Sequence, residues 1–279
     1  MKQADPHKSI LKAGIFRFRD QKLEAVEDAL AVEDPLEIGI MIPGQIPPVP
    51  AQTISLTMRT PGNDRELAAG YLFTEGIIRQ RDEIIQVLDL PALVTLVLKP
   101  DQERDLSVLE RRSVTSSSCG VCGKLSASAI RREPAYRENA SFEPIESSVL
   151  QELPENLRAA QHNFERTGGL HAAALFDAEG NLQLLREDVG RHNALDKLLG
   201  AALMAGMLPL SHQVLLLSGR TSFELVQKAA MGGIRMVVSV GAPSSKALQL
   251  AREYDITLAG FLKSNGFNIY HGENRIKFD

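Results

Sequence analysis

Residues 214–250 read VLLLSGRTSFELVQKAAMGGIRMVVSVGAPSSKALQL, and this stretch decides the fold class. Val214–Leu217 is apolar throughout, as a strand buried on both faces must be. Ser222–Met231 has helical spacing and length. Met236–Val240 is a second short apolar run. Ser244–Tyr254 is a second helix, and Thr257–Leu262 a third strand. Strands alternating with helices of this length imply βαβ units and a sheet covered by helices.

Working outward, His192–Ala205 places Ala194, Leu195, Leu198, Leu199 and Ala202 at helical intervals. Ala172–Phe176 and Leu182–Leu185 flank Asp177-Ala178-Glu179-Gly180, a hairpin turn. The first half has a different rhythm. Residues 1–30 are polar and weakly patterned. Leu36–Met41 reads as a strand, followed by the proline-rich Pro43–Pro50. Thr53–Met58 alternates Ile54, Leu56 and Met58 with polar residues, the pattern of a half-buried strand. Thr60–Asp64 is a turn, from which Asp64 is expected to cap a helix through Thr74. Ile84–Leu88 and Ala92–Leu98 are further strands. The polar, proline-bearing stretch Pro134–Ser148 reads as the seam between an N-terminal α+β domain, residues 1–145, and a C-terminal α/β domain, residues 146–279.

The chain has 279 residues, 44% hydrophobic and 24% charged, with a net charge of -4. This is a globular composition, and its sign argues against a general nucleic-acid binder. Charges interrupt the first twenty residues, so no signal-peptide apolar region is present. No apolar run approaches the ~20 residues needed to cross a bilayer. The reading is a cytoplasmic protein with no membrane partner.

Only two cysteines occur, Cys119 and Cys122, within Ser116-Ser117-Ser118-Cys119-Gly120-Val121-Cys122-Gly123-Lys124. Such close spacing is not that of a disulfide framework in a secreted domain. Serines and glycines imply an exposed loop. Arg111, Arg112 and Lys124 lie near in sequence, and positive charge favours the nucleophilic thiolate. Four readings stand side by side: a redox pair, half of a zinc site, a sulfur carrier, and two inert thiols. A thioredoxin-like pair would open a helix after a strand, and this pair follows a serine run. Structural zinc needs four ligands, and His162, His171, His192 and His212 include no close pair to complete a site.

Three loops in the second half have the makings of an anion site. Ser218-Gly219-Arg220-Thr221-Ser222 joins a strand to a helix, with a glycine, hydroxyls and an arginine at the helix start. It matches neither a Walker A loop nor a dinucleotide fingerprint. Gly241–Lys246 repeats the idea after the next strand, and Gly260–Gly266 follows a third. Loops at the same ends of neighbouring strands face one crevice, where open α/β sheets bind ligands. Arg186–Asn193 adds Arg191 and His192 at another helix start, with Asp188 as a candidate cap. Each also reads as ordinary capping and solvated charge. His171, after Gly168-Gly169, is a candidate ligand contact or a structural hydrogen bonder.

Taken together these motifs resemble the FdhD family, accessory sulfurtransferases for formate dehydrogenase. The resemblance runs from Arg59-Thr60-Pro61-Gly62 and Gly70–Ile78 through CGVCG at Cys119–Gly123, TGGLHAAAL at Thr167–Leu175 and EDVGRHNALDKLLG at Glu187–Gly200. It continues through SGRTSFELVQKAAMGG at Ser218–Gly233 to GFLKSNGFNIY at Gly260–Tyr270. It implies an α/β protein whose C-terminal three-layer α/β/α domain resembles cytidine deaminases, beside a smaller N-terminal α+β domain. It implies that Cys119 accepts sulfur from a cysteine desulfurase as a persulfide, with Cys122 assisting. The sulfur then passes to a molybdenum bis(pterin guanine dinucleotide) cofactor destined for formate dehydrogenase. Homodimers are implied, with GDP as a mimic of the cofactor's nucleotide and no stoichiometric zinc. Phe261, Leu262, Lys263, Ser264, Asn265 and Gly266 fall on the family's cofactor-binding stretch; many relatives carry an arginine within it, and here Lys263 is its only cation. Ser218, Gly219, Arg220, Thr221 and His192 are the further cofactor-binding candidates. The alternative is a chaperone that shelters the cofactor without transferring sulfur. Deaminase chemistry is not expected, because His171 is followed by Ala172-Ala173 rather than the x-Glu of a zinc deaminase, and the thiol pair precedes it.

Overall fold

The computed structural model describes residues 9–44, 49–100, 136 and 142–278. Cys119 and Cys122, with the rest of the thiol loop, lie outside the described residues.

The elements run β1 (Ile10–Arg19), β2 (Lys22–Ala31), β3 (Asp34–Ile42), β4 (Val49–Arg59), α1 (Asp64–Thr74), β5 (Ile84–Leu90), β6 (Leu93–Leu98), β7 (Ile145–Glu146), α2 (Ser147–Ala160) and α3 (His162–Thr167). They continue with β8 (His171–Phe176), β9 (Leu182–Asp188), α4 (Arg191–Met204), β10 (Val214–Leu217), α5 (Phe223–Met231), β11 (Met236–Ser239), α6 (Ser245–Glu253), β12 (Thr257–Lys263), β13 (Gly266–His271) and β14 (Ile276–Lys277).

The central sheet has six strands in the order β13-β12-β11-β10-β8-β9. Its middle, β10-β11-β12, is parallel and is joined by α5 and α6, as the alternation of the opening stretch requires. Antiparallel hairpins finish both edges, β8-β9 and β12-β13. The two-residue period sorts side chains cleanly. Ala173, Leu175, Leu215, Leu217, Val237 and Leu258 face α4, α5 and α6. Ala172, Ala174, Phe176, Val214, Leu216, Met236 and Val238 face α2. The three-layer α/β/α arrangement therefore stands as read from sequence.

A four-stranded sheet, β4-β3-β6-β5, forms the first half. Helix α1 lies between it and α4. Leu36, Ile38, Ile40 and Ile42 of β3 pack through Leu67, Leu72 and Phe73 of α1 into the same apolar core as Leu195, Leu198 and Leu199 of α4. The α1–α4 crossing is tight because Gly70 and Gly200 sit at it. A Cβ on Gly70 would lie 1.8 Å from the Asp196 carbonyl oxygen, and one on Gly200 would lie 1.9 Å from that of Glu66.

Three expectations are corrected. The weakly patterned N-terminus holds a long antiparallel hairpin, β1-β2, whose turn is Asp20-Gln21 with φ of 52° and 62°. Its strands lie on no helix-covered sheet, so they show no clean alternation. Asp64 does not cap α1; Asn63 occupies that position in the left-handed region, and Asp64 instead accepts from Arg59 Nη2 at 2.8 Å. Gly260–Gly266 is not a loop following a strand but the body and turn of the β12-β13 hairpin. Among the described residues no helix is long and apolar enough to cross a membrane.

Candidate functional site

The loops after β10 and β11 meet at one end of the central sheet. Gly241 N donates to Gly219 O at 3.1 Å, Thr221 N to Ala242 O at 3.1 Å, and Ser244 N to Thr221 O at 2.9 Å. A Cβ on Gly241 would lie 2.9 Å from the backbone of Gly219, so only glycine permits this approach. Strand β12 pairs with β11 only as far as Ala259. Beyond that the β12-β13 hairpin rises past the end of β11, tied back where Phe261 N donates to Gly241 O at 3.1 Å. Phe261 takes φ 56° and is exposed, whereas Leu262 turns into the core beneath α2. Lys263, Ser264 and Asn265 stand exposed at the hairpin end.

Helices begin at this same end. Ser222 is the N-cap of α5, and Ser244 caps α6 by accepting from Ala247 N at 3.1 Å. His192, in the first turn of α4, places Nε2 3.3 Å from Ser222 Oγ and 3.1 Å from Glu224 Oε2. His171, at the start of β8, packs against the glycine of the first loop: a Cβ on Gly219 would lie 3.1 Å from its Nδ1. Burial, and then the Arg191 guanidinium, hold the His171 imidazole below its ordinary pKa, against the opposing pull of Asp188. Arg220 is exposed at the loop. Thr221 is buried, and its Oγ1 has no hydrogen-bond partner among the described residues; the same holds for Arg191 Nε. Two helix N-termini, the unpartnered Thr221 hydroxyl and the exposed Arg220 thus gather at one end of the central sheet, chemistry suited to an anionic group.

Sequence reasoning missed the charged scaffold behind these loops. Asp188 is fully buried and does not cap α4, whose N-cap is Gly190 with no side-chain hydrogen bond; it ties the two halves together instead. Its Oδ1 accepts from Gly190 N at 2.8 Å, and its Oδ2 accepts from Thr60 N at 3.1 Å and lies 2.7 Å from Lys197 Nζ. Lys197 also donates to Thr60 O at 2.8 Å, and Val189 N donates to Thr60 Oγ1 at 3.1 Å. The Arg59–Gly62 turn of the first half is thereby fastened to the Glu187–His192 segment of the second.

One turn along the helices lies a second buried pair. Lys228 of α5 donates to Asp196 Oδ1 at 2.8 Å, Asp196 Oδ2 at 2.9 Å and Thr74 Oγ1 at 2.9 Å. Burial pushes the Asp196 carboxyl up against the pull of Lys228. Burial also disfavours the Lys228 ammonium, yet Asp196 and then Glu75 hold the amine above its ordinary pKa. The two shifts pull in opposite senses. The three oxygens around Lys228 Nζ and its raised pKa favour the ion pair. His192 and Asp196, four apart on α4, face Glu224 and Lys228, four apart on α5, as two rungs. The signal for this was helical spacing of charges on strongly apolar helices, which reads as a solvated face until the neighbour is known.

Residues 40–277 match the profile of the FdhD/NarQ family. The chain belongs to the FdhD/NarQ family. Among its relatives, the sulfur carrier protein FdhD of Streptomyces avermitilis is 45% identical over 94% of each chain. The protein of the same description from Sulfurisphaera tokodaii is 37% identical, over 96% of this chain and 99% of its own. A crystal structure described as a formate dehydrogenase accessory protein from Desulfotalea psychrophila superposes with a TM-score of 0.72 and 21% identity, covering 97% of this chain and 100% of that one. That likeness shows a shared fold across both halves of this FdhD/NarQ family member.

Proposed function

We propose that this chain is a sulfur carrier serving a formate dehydrogenase. The observation that supports this most directly is membership of the FdhD/NarQ family with near full-length relatives named sulfur carrier protein FdhD. The convergence of the Ser218–Ser222 and Gly241–Ser245 loops with the β12-β13 hairpin supports an acceptor site at that end of the sheet.

The Cys119 thiolate attacks the outer sulfur of a persulfide on a cysteine desulfurase. The donor S–S bond breaks, the donor leaves as a thiolate, and the sulfur is held as a Cys119 persulfide. Attack of the Cys122 thiolate on the inner sulfur forms a Cys119–Cys122 disulfide and releases the sulfur at the sulfide level. A dithiol reductant then resets the pair. The recipient is the molybdenum bis(pterin guanine dinucleotide) cofactor, carried as cargo. Ser218, Gly219, Arg220, Thr221 and His192 hold its anionic nucleotide portion, with the Phe261–Gly266 hairpin as the wall. The protein works in the cytoplasm as a homodimer.

Mass spectrometry after incubation with a cysteine desulfurase and cysteine tests the carrier role. The expected product is one added sulfur on Cys119, absent from Cys119→Ala. A Cys119→Ala, Cys122→Ala protein that still supports formate dehydrogenase activity would leave only a sheltering chaperone.

A further inference from the structure

Helix α5 opens at the loop site without the cap that α6 has. Ser244 caps α6 by accepting from Ala247 N, whereas Ser222, the N-cap of α5, makes no such bond. Its Oγ lies 3.3 Å from His192 Nε2 instead. The first amides of α5 are thus left without the acceptor an N-cap side chain usually supplies. Beside them Thr221 Oγ1 is buried with no partner among the described residues. An anionic ligand answers both needs. One group here opposes it. Glu224, in the first turn of α5, is buried, and the helix N-terminus favours its carboxylate form. A carboxylate beside an anion site repels the ligand until its charge is balanced.

The surrounding charges leave that balance to one residue. Lys228, a turn further along α5, is engaged by both oxygens of Asp196, and Glu75 adds to the negative field around it. Arg191 and Asp188 act on His171 at the start of β8. The titratable contact of Glu224 on α4 is His192, which is also buried and places Nε2 3.1 Å from Glu224 Oε2. We propose that Glu224 is a positioning residue that makes anion binding at the start of α5 proton-dependent. With His192 protonated the pair is neutral and admits the ligand; with His192 neutral the Glu224 charge repels it. Ligand and proton then favour each other: a bound anion holds the proton on His192, and falling pH tightens the anion. The inference rests on the reading of the Ser218–Ser222 loop as the anion site and adds the control of that site by pH.

Calorimetric titration of the full chain with GDP between about pH 6.5 and about pH 9 spans the range in which such a histidine changes charge. Wild-type affinity, taken as a ratio to that of Glu224→Gln, is expected to fall with rising pH by up to about tenfold per pH unit, the limit for one linked proton. The ratio cancels the ionisation of the GDP phosphates, and glutamine keeps the size of the side chain. At the alkaline end Glu224→Gln is expected to bind more tightly than wild type, which a merely structural role for Glu224 does not give. His171→Gln is expected to keep the wild-type slope. Parallel pH profiles in wild type and Glu224→Gln, or loss of the slope in His171→Gln, overturn the proposal while leaving the loops as the nucleotide site. Absence of GDP binding in wild type and variant alike overturns the site reading and the proposal with it. NMR of the His192 ring in the ligand-free protein gives a second reading. Its titration midpoint is expected to lie about one pH unit or more lower in Glu224→Gln, and an unchanged midpoint overturns the proposal.

Discussion

Gly70 of α1 and Gly200 of α4 face each other where the two helices cross, close enough that the Gly70 amide nitrogen would lie 2.7 Å from a Cβ placed on Gly200. Neither glycine is needed for a turn. Both are there because backbone meets backbone. Gly70→Ala or Gly200→Ala is expected to force the helices apart and to cost about 3 kcal/mol or more, at the upper end for overpacking. Chemical denaturation checks this, with Gly14→Ala as the control, since nothing lies within 4 Å of a Cβ there.

The Asp196–Lys228 pair predicts a non-additive cycle. Lys228→Met leaves the Asp196 carboxylate buried with Thr74 as its one side-chain donor among the described residues. Breaking such a pair costs about 3–5 kcal/mol, whereas replacing both partners with apolar groups is often nearly neutral. Asp196→Leu with Lys228→Met is therefore expected to recover most of the loss. Equal penalties for the single and double variants in urea unfolding would show that the pair is not the source of the cost.

The layered second half was legible because its central strands are short, mostly apolar and separated by helix-length segments. Val214–Leu217 and Met236–Ser239 are too short for helices and are flanked by glycine-bearing loops, which favours strands. The convergence of the two glycine-bearing loops followed from the same pattern. The β1-β2 hairpin was hidden because its strands cover no core; Lys12, Arg17, Glu24, Glu27 and Asp28 break the apolar alternation. The role of Asp188 was read too narrowly for a different reason. Its bond from Gly190 N is local, but its bonds to Thr60 and Lys197 depend on the first half folding back onto α4. Long-range charge pairing of this kind leaves no periodicity in the chain.

His171 predicts a pH dependence of stability. Its folded pKa lies below the ordinary 6.5, through burial and then Arg191, with Asp188 opposing. Between the folded pKa and 6.5 the unfolded chain binds a proton that the folded chain does not. Stability therefore rises with pH across that window, is flat above it, and is lost as pH falls. His171→Gln is expected to flatten this segment of the profile. The check is the difference in denaturation midpoint between wild type and variant at closely spaced pH values from about 5 to about 8, because the chain carries five other histidines. An unchanged slope in the variant would assign the dependence to another group.

Arg220 predicts how the loop site recognises its ligand. It is exposed beside buried Thr221, whose Oγ1 has no partner among the described residues, at the loop that opens α5. A guanidinium there reaches a phosphate without a desolvated partner to abandon, so its removal weakens binding and leaves the fold intact. With GDP as the probe, Arg220→Ala is expected to bind about 10- to 100-fold more weakly by calorimetry, the worth of a hydrogen bond to a charged group. Arg220→Lys is expected to recover part of this, since lysine keeps the charge but loses the fork that grips two oxygens. The wild-type affinity should also fall as salt rises, and less steeply in Arg220→Ala, because one fewer cation answers the phosphates. Equal affinity and equal salt dependence in the two proteins would move the anion contact from this loop to Lys263 on the hairpin wall, where Lys263→Ala is the corresponding variant.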